Sequence, residues 1–258
     1  MNKKLNIVAL ALVLSAGLTA CGPKAENAPA NNAAQNNTAA TANANAEAEK
    51  APAAEVGEIT GEELDKIMED NKAKEKVTVI DVRSPEEYNE GHVKHAINMP
   101  VDTLEQDLAK IEDLKDADII TICNTGKKSG EAAKILVENG FQNVKNAQGV
   151  KEFDYTTITK VTNVRGPEFV ELAKSGDYTI IDVRDAKDYD ASHVEGAINV
   201  PQDEFDAKYG ELPTDKPFLT YCYSGNRSWE IASKLTEKGH EATNSLDGTK
   251  EFDGFELK

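Results

Sequence analysis

Two of the three cysteines each begin a short loop of small and cationic residues. After Cys222, the second cysteine loop (222–228) continues with Tyr223, Ser224, Gly225, Asn226, Arg227 and Ser228. After Cys123, the first cysteine loop (123–129) continues with Asn124, Thr125, Gly126, Lys127, Lys128 and Ser129. Successive backbone N–H groups in such a loop can hold an anion, and a thiolate is a strong nucleophile. We therefore predict that Cys222 and Cys123 are the nucleophiles and that the other loop residues bind the substrate.

The chain around each loop predicts a strand before the cysteine and a helix after it. Apolar runs predict buried strands at 77–82, 119–122, 178–183 and 218–221. Helical spacing predicts helices at 131–138 and 229–237, ended by Gly140 and Gly239. In an α/β sheet, ligands bind at the carboxyl ends of the strands, where the next helix offers unpaired N–H groups and a positive dipole end. A cysteine held there exists more as the thiolate.

The second part of the chain repeats the first. The run VIDVR at 79–83 returns as IIDVR at 180–184, and GHVKHAINMP at 91–100 returns as SHVEGAINVP at 192–201. A repeat of about 100 residues has the size of a domain. Because strands and helices alternate within each unit, we predict two tandem α/β domains, each a mostly parallel central sheet flanked by helices. We place the first repeat at 57–157 and the second repeat at 158–258.

These motifs together resemble the rhodanese-like family, whose pattern is a Cys-x-x-Gly-x-Arg-Ser loop preceded by Asp-Val-Arg, a Tyr and a His-Val-x-Gly-Ala-Ile-Asn-x-Pro run. The resemblance covers residues 57–258 and implies a sulfurtransferase with a ping-pong mechanism. The thiolate would take a sulfane sulfur from a small sulfur-containing anion such as thiosulfate, become a persulfide, and pass the sulfur to cyanide or a thiol. Rhodanese-like phosphatases and arsenate reductases have one more residue between cysteine and arginine. Here four residues separate Cys222 from Arg227, which favours sulfur transfer.

The two loops differ at one position of the pattern. Lys128 stands where Arg227 stands in the second loop, and lysine keeps the charge but lacks the planar fork of donors. We therefore expect the Cys123 site to be weaker, or suited to another donor. We also expect ion pairs that support the loops. Their members are Asp81, Arg83, Asp182 and Arg184.

Composition restricts the partners and cofactors. The formal net charge is −17, which disfavours nucleic acid and anionic lipid headgroups as partners. Three cysteines are too few for a disulfide scaffold or a thiolate-rich zinc site. We predict neither a metal nor a cofactor. We expect His92 and His193, at matching repeat positions, to pack and hydrogen-bond rather than act as general bases.

The N-terminal residues 1–21 have the pattern of a bacterial lipoprotein signal peptide. Lys3 and Lys4 precede an apolar stretch at 5–18 that is short for a membrane span, and small residues then lead to Cys21. We expect Cys21 to be lipidated, which would anchor the protein at the bacterial cell envelope through lipid only. The alternative is an ordinary secretory signal with a chance cysteine. Residues 22–56 are poor in large apolar side chains and predict a flexible tether.

Three alternatives compete with catalysis at the loop cysteines. Cys123 or Cys222 could be a small buried hydrophobe, or the two could form a disulfide in an oxidising compartment. The chain could also be a non-catalytic rhodanese-like module that binds a partner or senses redox state at the envelope. The mass gained on treatment with a sulfur donor distinguishes catalysis from binding.

Overall fold

The computed structural model describes residues 55–258. The predicted signal peptide, Cys21 and nearly all of the predicted tether lie outside these residues. Within the described residues, no helix has the length and apolar character needed to cross a membrane.

The first repeat alternates strands and helices. Its strands are β1 (Gly57–Ile59), β2 (Val77–Asp81), β3 (His92–Val93), β4 (Ile97–Asn98), β5 (Asp118–Ile122) and β6 (Asn143–Ala147). Its helices are α1 (Gly61–Glu69), α2 (Asn71–Lys74), α3 (Pro85–Glu90), α4 (Leu104–Asp107) and α5 (Lys127–Glu138), with a 3-10 segment at Leu108–Leu114.

The second repeat has the same plan. Its strands are β7 (Ile158–Thr159), β8 (Thr162–Val164), β9 (Thr179–Asp182), β10 (Ile198–Asn199), β11 (Phe218–Tyr221) and β12 (Ala242–Ser245). Its helices are α6 (Gly166–Ser175), α7 (Ala186–Ala191), α8 (Phe205–Lys208) and α9 (Asn226–Glu237), with 3-10 turns at Gln202–Glu204 and Tyr209–Glu211.

Each repeat forms a five-stranded sheet in which every pairing is parallel. The orders are β1-β6-β5-β2-β4 and β8-β12-β11-β9-β10, which match strand for strand. In both sheets the strand before the cysteine is central. The prediction of two mostly parallel α/β units is therefore confirmed.

Both faces of each sheet are covered, which explains the continuous apolar runs in the central strands. In β2, Ile80 packs with the α5 side, whereas Val79 packs with Leu64 and Met68 of α1 on the opposite face. In the second repeat, Ile181 similarly packs with the α9 side of the sheet, while Ile180 faces Phe169 of α6. Two apolar layers thus fix each central strand and the loop that leaves it.

The helices after the cysteines begin earlier than the spacing predicted. α5 begins at Lys127 and α9 at Asn226, not near 131 and 229. The reason is a left-handed glycine, Gly126 at φ 75° and Gly225 at φ 71°, which turns the chain directly into the helix. The last residues of each cysteine loop therefore form the first helical turn. Gly140 and Gly239 follow the helix ends with positive φ, as predicted.

The chain passes from one repeat to the other through β7. Ile158 and Thr159 pair antiparallel with Val93 and His92 of β3, and the second sheet begins only at Thr162. Residues 158 and 159 thus pair with a strand of the first repeat. The boundary between 157 and 158 stays a prediction.

Candidate active site

The second cysteine loop lies at the carboxyl end of a central strand. Cys222 directly follows β11, and α9 begins four residues later. Gly225 supplies the turn between them, and a side chain there would overlap the carbonyl oxygen of Leu246. The thiol thus sits where the positive end of a 12-residue helix can act on it.

The Cys222 sulfur is buried and hydrogen-bonded. The cysteine is 1% exposed, and the Ser228 hydroxyl lies 3.3 Å from its Sγ atom. Ser228 also donates to the Asn244 side-chain oxygen at 2.7 Å. Both loop cysteines are free thiols in this structure, so it contains no disulfide between Cys123 and Cys222.

A row of buried amides fixes the orientation of Asn244. Its Nδ2 donates to Asn163 Oδ1 at 3.2 Å, so its Oδ1 faces Ser228. Asn163 in turn donates to the carbonyl oxygens of Val161 and Ala96 at 3.0 and 3.3 Å. Ala96 belongs to the first repeat, so this row links the second thiol to the neighbouring unit.

The backbone after β12 supports the second cysteine loop. Thr249 N donates to Cys222 O at 3.0 Å, and Lys250 N donates to Tyr223 O at 3.1 Å. Gly248 permits this close approach, since a side chain there would overlap the Tyr223 backbone. The carbonyl groups of Cys222 and Tyr223 therefore accept hydrogen bonds from the segment that follows β12.

Cations surround the outer side of the second loop. Arg227 pairs with Asp185 at 3.1 Å, with its guanidinium 5.6 Å from the Tyr223 ring. Arg184 lies 5.6 Å and Lys250 Nζ 4.0 Å from the same ring. The predicted Arg227 charge is present at the site, next to Tyr223, but it is shared with a carboxylate. The second loop therefore has cations beside it, two of which, Arg227 and Arg184, are paired with the carboxylates of Asp185 and Asp182.

The predicted ion pairs form at both strand ends. Arg184 Nη2 lies 2.7 Å from Asp182 Oδ2 and donates to Ser192 O at 2.6 Å, while Tyr221 donates to the same carboxylate at 2.6 Å. Arg83 and Asp81 make the equivalent pair at 2.6 Å. Burial, followed by the Asp182 charge, raises the pKa of Tyr221, which keeps its donor proton. The second pair thus holds the residue immediately before Cys222.

The first cysteine loop has a similar geometry around its sulfur, with an additional hydrogen bond from the backbone. Both the backbone N–H and the hydroxyl of Ser129 lie 3.3 Å from Cys123 Sγ, and the hydroxyl donates to Asn146 Oδ1 at 2.6 Å. Asn124 donates to Glu87 at 2.7 Å. Three predicted cradle residues of this loop have exposed side chains, namely Thr125, Lys127 and Lys128. The cations here face solvent.

The two histidines of the repeated motif are bound to main-chain groups. His92 stacks on Tyr88 with ring centroids 3.6 Å apart, and its ring nitrogens lie 2.9 and 3.0 Å from carbonyl oxygens. His193 stacks on Tyr189 and contacts the Tyr189 carbonyl at 2.9 Å. Burial lowers the pKa of His92. Packing and hydrogen bonding, as predicted, account for both.

Sequence reasoning missed the partners of the serines and the supporting glycines. Asn146 and Asn244 accept hydrogen bonds from the serine at the end of each cysteine loop. Gly149 and Gly248 allow the backbone of each loop to approach closely, because a side chain at either position would overlap it. The repeat held the signal, because NAQG at 146–149 corresponds to NSLDG at 244–248 with one inserted residue. A polar residue kept in both copies at a strand end indicates a role near the cysteine.

Comparison with known proteins agrees with this geometry. The model of the rhodanese-like domain matches twice, at residues 60–153 and 167–253. This chain belongs to the rhodanese-like family. Each of the two matched ranges contains one of the cysteine loops.

The curated relatives of this chain include two sulfurtransferases and several tRNA uridine(34) hydroxylases. Thiosulfate sulfurtransferase PspE of Escherichia coli (strain K12) is 42% identical over 72 residues, which is 28% of this chain and 69% of that protein. A sulfurtransferase of Allochromatium vinosum is 30% identical over 94 residues, covering 36% of this chain and 83% of its own. A tRNA uridine(34) hydroxylase of Photorhabdus laumondii is 34% identical over 74 residues, covering 27% of this chain but only 21% of its own. Family membership and the first two relatives support sulfurtransferase activity in general.

Proposed function

We propose that this chain is a sulfurtransferase that carries sulfane sulfur on Cys222 as a persulfide. The observation that supports this most strongly is the placement of the Cys222 sulfur. It lies at the start of α9 with the Ser228 hydroxyl at 3.3 Å, inside a loop shaped by Gly225. Such a site stabilises a negative charge on the thiolate and on the persulfide that replaces it.

The proposed reaction has two displacements. The Cys222 thiolate attacks the outer sulfur of thiosulfate, a new S–S bond forms, and sulfite leaves with the electron pair of the broken bond. Cyanide or a thiolate then attacks the terminal sulfur of the persulfide, forming thiocyanate or a new persulfide and releasing the Cys222 thiolate. Each step exchanges one bond to sulfur for another, so no redox cofactor is required.

We propose Cys123 as a second, weaker site. Ser129 contacts its sulfur through both the hydroxyl and the backbone N–H, yet Lys127 and Lys128 face solvent. Lysine also gives no bidentate contact to an oxyanion. An anionic donor would therefore be held less firmly at Cys123 than at Cys222.

The test is thiosulfate:cyanide sulfur transfer, with thiocyanate as the measured product. Cys222→Ser should remove most of the activity, and Cys123→Ser should leave most of it. Full activity in Cys222→Ser would refute the assignment of the main nucleophile. A wild-type chain that forms no persulfide with thiosulfate, an organic persulfide or a 3-mercapto-2-oxo acid, whose C–S bond breaks to an enolate, would support the binding or redox-sensing module instead.

We also propose that the protein is exported and anchored by a lipid on Cys21. The support is the pattern of residues 3–21, in which Lys3, Lys4 and an apolar stretch lead to small residues and Cys21. Labelling bacteria with tagged palmitate should mark the wild-type chain but not Cys21→Ser. Equal labelling of both, or of neither, would refute lipidation at this residue.

A further inference from the structure

A short helix of the first repeat lies on the second cysteine loop. Lys74, the last residue of α2, donates from its Nζ atom to the Ser224 carbonyl oxygen at 2.9 Å. The next residue, Glu75, accepts from Asn226 Nδ2 at 2.6 Å. Two residues of the second cysteine loop are therefore bonded by side chains that lie about 150 positions earlier in the chain.

Lys74 is a buried cation. The residue is 3% exposed, which is rare for lysine, because an ammonium group loses much hydration on burial. Burial lowers the pKa of Lys74, while the charges of Glu251, Glu75, Cys222 and Asp247 act in the opposite direction. The hydrogen bond to the Ser224 carbonyl oxygen offsets only a small part of this desolvation cost. A negative charge that forms at Cys222 during the reaction would add to the charges of Glu251 and Glu75 in offsetting this cost.

We propose that Lys74 is a positioning residue of the Cys222 site, donated by the first repeat to the second. It fixes the second cysteine loop through Ser224, and its charge stabilises the thiolate and the persulfide on Cys222. The part of this inference that concerns the persulfide rests on the proposed function.

Lys74 acts on the second cysteine loop through the peptide group between Ser224 and Gly225. In a trans peptide the N–H group points opposite to the C=O group. Lys74 binds the Ser224 carbonyl, so the Gly225 N–H of the same peptide points away from Lys74. A cation on the oxygen polarises the peptide and makes its N–H a stronger donor. Gly225 itself is held in the left-handed conformation at φ 71°.

A neighbouring aromatic contact packs at the same interface, with Lys94 Nζ 4.1 Å from the centre of the Trp229 ring. His95 of the first repeat is 3% exposed, and its ring lies 5.4 Å from the Trp229 ring of α9. Burial, helped by Lys74 and Lys94, lowers the pKa of His95 to about 2, so the imidazole stays neutral. His95 has φ 64° where the second repeat has Gly196 at φ 79°. A non-glycine residue in the left-handed conformation thus lies at the contact between the repeats.

The first cysteine loop has a different environment. Thr125, which corresponds to Ser224, is exposed, whereas Ser224 is half-buried beneath α2. Lys127 and Lys128 are exposed as well. The buried Lys74 therefore contacts the second cysteine loop, and Cys123 provides an internal comparison for Cys222.

The experiment measures the alkylation rate of each cysteine by iodoacetamide as a function of pH, in the full chain, by peptide mass spectrometry. In Lys74→Met, Cys222 should react about tenfold more slowly at pH 7, because the variant loses a cation that favours negative charge at the second cysteine loop. Lys74→Arg should restore much of the rate. Cys123 should be unchanged in every sample. Lys72→Met, which removes an exposed charge from the same helix, should leave both cysteines unchanged.

A second variant separates charge from docking. Glu75→Ala breaks the other contact to the loop but removes a negative charge, so Cys222 should react at least as fast as in the wild type. If Glu75→Ala slows Cys222 as much as Lys74→Met does, docking alone is responsible and the charge role is overturned. An unchanged Cys222 rate in Lys74→Met also overturns it.

Alkylation needs no sulfur donor, so the two proposals fail separately. A slowed Cys222 in Lys74→Met, together with a wild-type chain that never forms a persulfide, would refute the sulfurtransferase and leave the role of Lys74 at the thiolate. Persulfide formation in the wild type with no effect of Lys74→Met would refute only the role of Lys74.

Discussion

The Ser228 hydroxyl lies 3.3 Å from Cys222 Sγ and 2.7 Å from Asn244 Oδ1. A hydroxyl has one proton and can donate to only one of these atoms at a time. With a neutral thiol, the amide oxygen is the better acceptor. When the sulfur becomes negative, the proton can turn to it, because hydrogen bonds to charged acceptors are about twice as strong. Ser228 can thus respond to the charge on the sulfur.

Ser228→Ala should slow persulfide formation at Cys222. A hydrogen bond to a charged group contributes about 1.5–3 kcal/mol, so the rate should fall about 10- to 100-fold. The measurement is the rate at which sulfite is released from thiosulfate. Ser233→Ala, on the exposed side of α9, is the control and should match the wild type. A Ser228→Ala chain as fast as this control would exclude the hydroxyl from the reaction.

Gly248→Ala should damage the second site through its backbone. A methyl group at Gly248 would overlap the Tyr223 backbone, and the loop would have to move. Overpacking of this kind costs about 1–3 kcal/mol, which urea unfolding measures. Gly210→Ala is the control, since nothing lies within 4 Å of a side chain at Gly210. Equal stability of the two variants would show that the loop can adapt.

Acid should weaken the first repeat through Asp65. Burial opposes the charge of this carboxylate, but hydrogen bonds from Thr157 and Thr156 outweigh it and lower the Asp65 pKa below its usual value. The resulting stability is therefore present above the ordinary aspartate pKa and is lost as the pH falls through the lowered value. Urea unfolding at pH 7 and at pH 3 should show a smaller difference in Asp65→Asn than in the wild type. Asp102→Asn, at an exposed position, should keep the full difference.

Lys128→Arg should strengthen the first site. The substitution restores the family's loop pattern and adds the planar fork that lysine lacks. The fraction of Cys123 carrying a persulfide after a brief thiosulfate treatment should rise severalfold, about the effect of one charge-assisted hydrogen bond. Lys127→Arg, one position earlier, should have little effect. If both substitutions or neither raise the loading, the side chain at 128 does not set the difference between the sites.

The sequence predicted two adjacent strands of each sheet, β2 and β5 and then β9 and β11, because their signal is local. The runs around Val79 and Ile180 are mostly apolar, as is typical of buried parallel strands, and the second copy of each motif repeated the information. The shorter strands at the edges of the sheets have no such signal. The ion pair of Asp182 and Arg184 was also predictable, since the two residues are only two positions apart.

The rest of the site depends on packing that local patterns do not record. Asn244 reaches Ser228 only because β12 lies beside β11, and Asn163 reaches Asn244 only because β8 lies beside β12. Lys74 looked like an ordinary surface lysine, and its burial appears only when the two repeats are docked. The predicted helix starts are too late because apolar spacing does not show that Gly225, in the left-handed conformation, caps α9.

The most direct test of sulfur transfer through Cys222 is the intact mass of the protein after treatment with thiosulfate and removal of the excess. The wild type and Cys123→Ser should each gain one sulfur atom, mapped by peptide analysis to Cys222, and cyanide should remove it. Cys222→Ser should show little gain. Sulfur that is absent from Cys222 in the wild type, or a gain that persists undiminished in Cys222→Ser, would contradict the account.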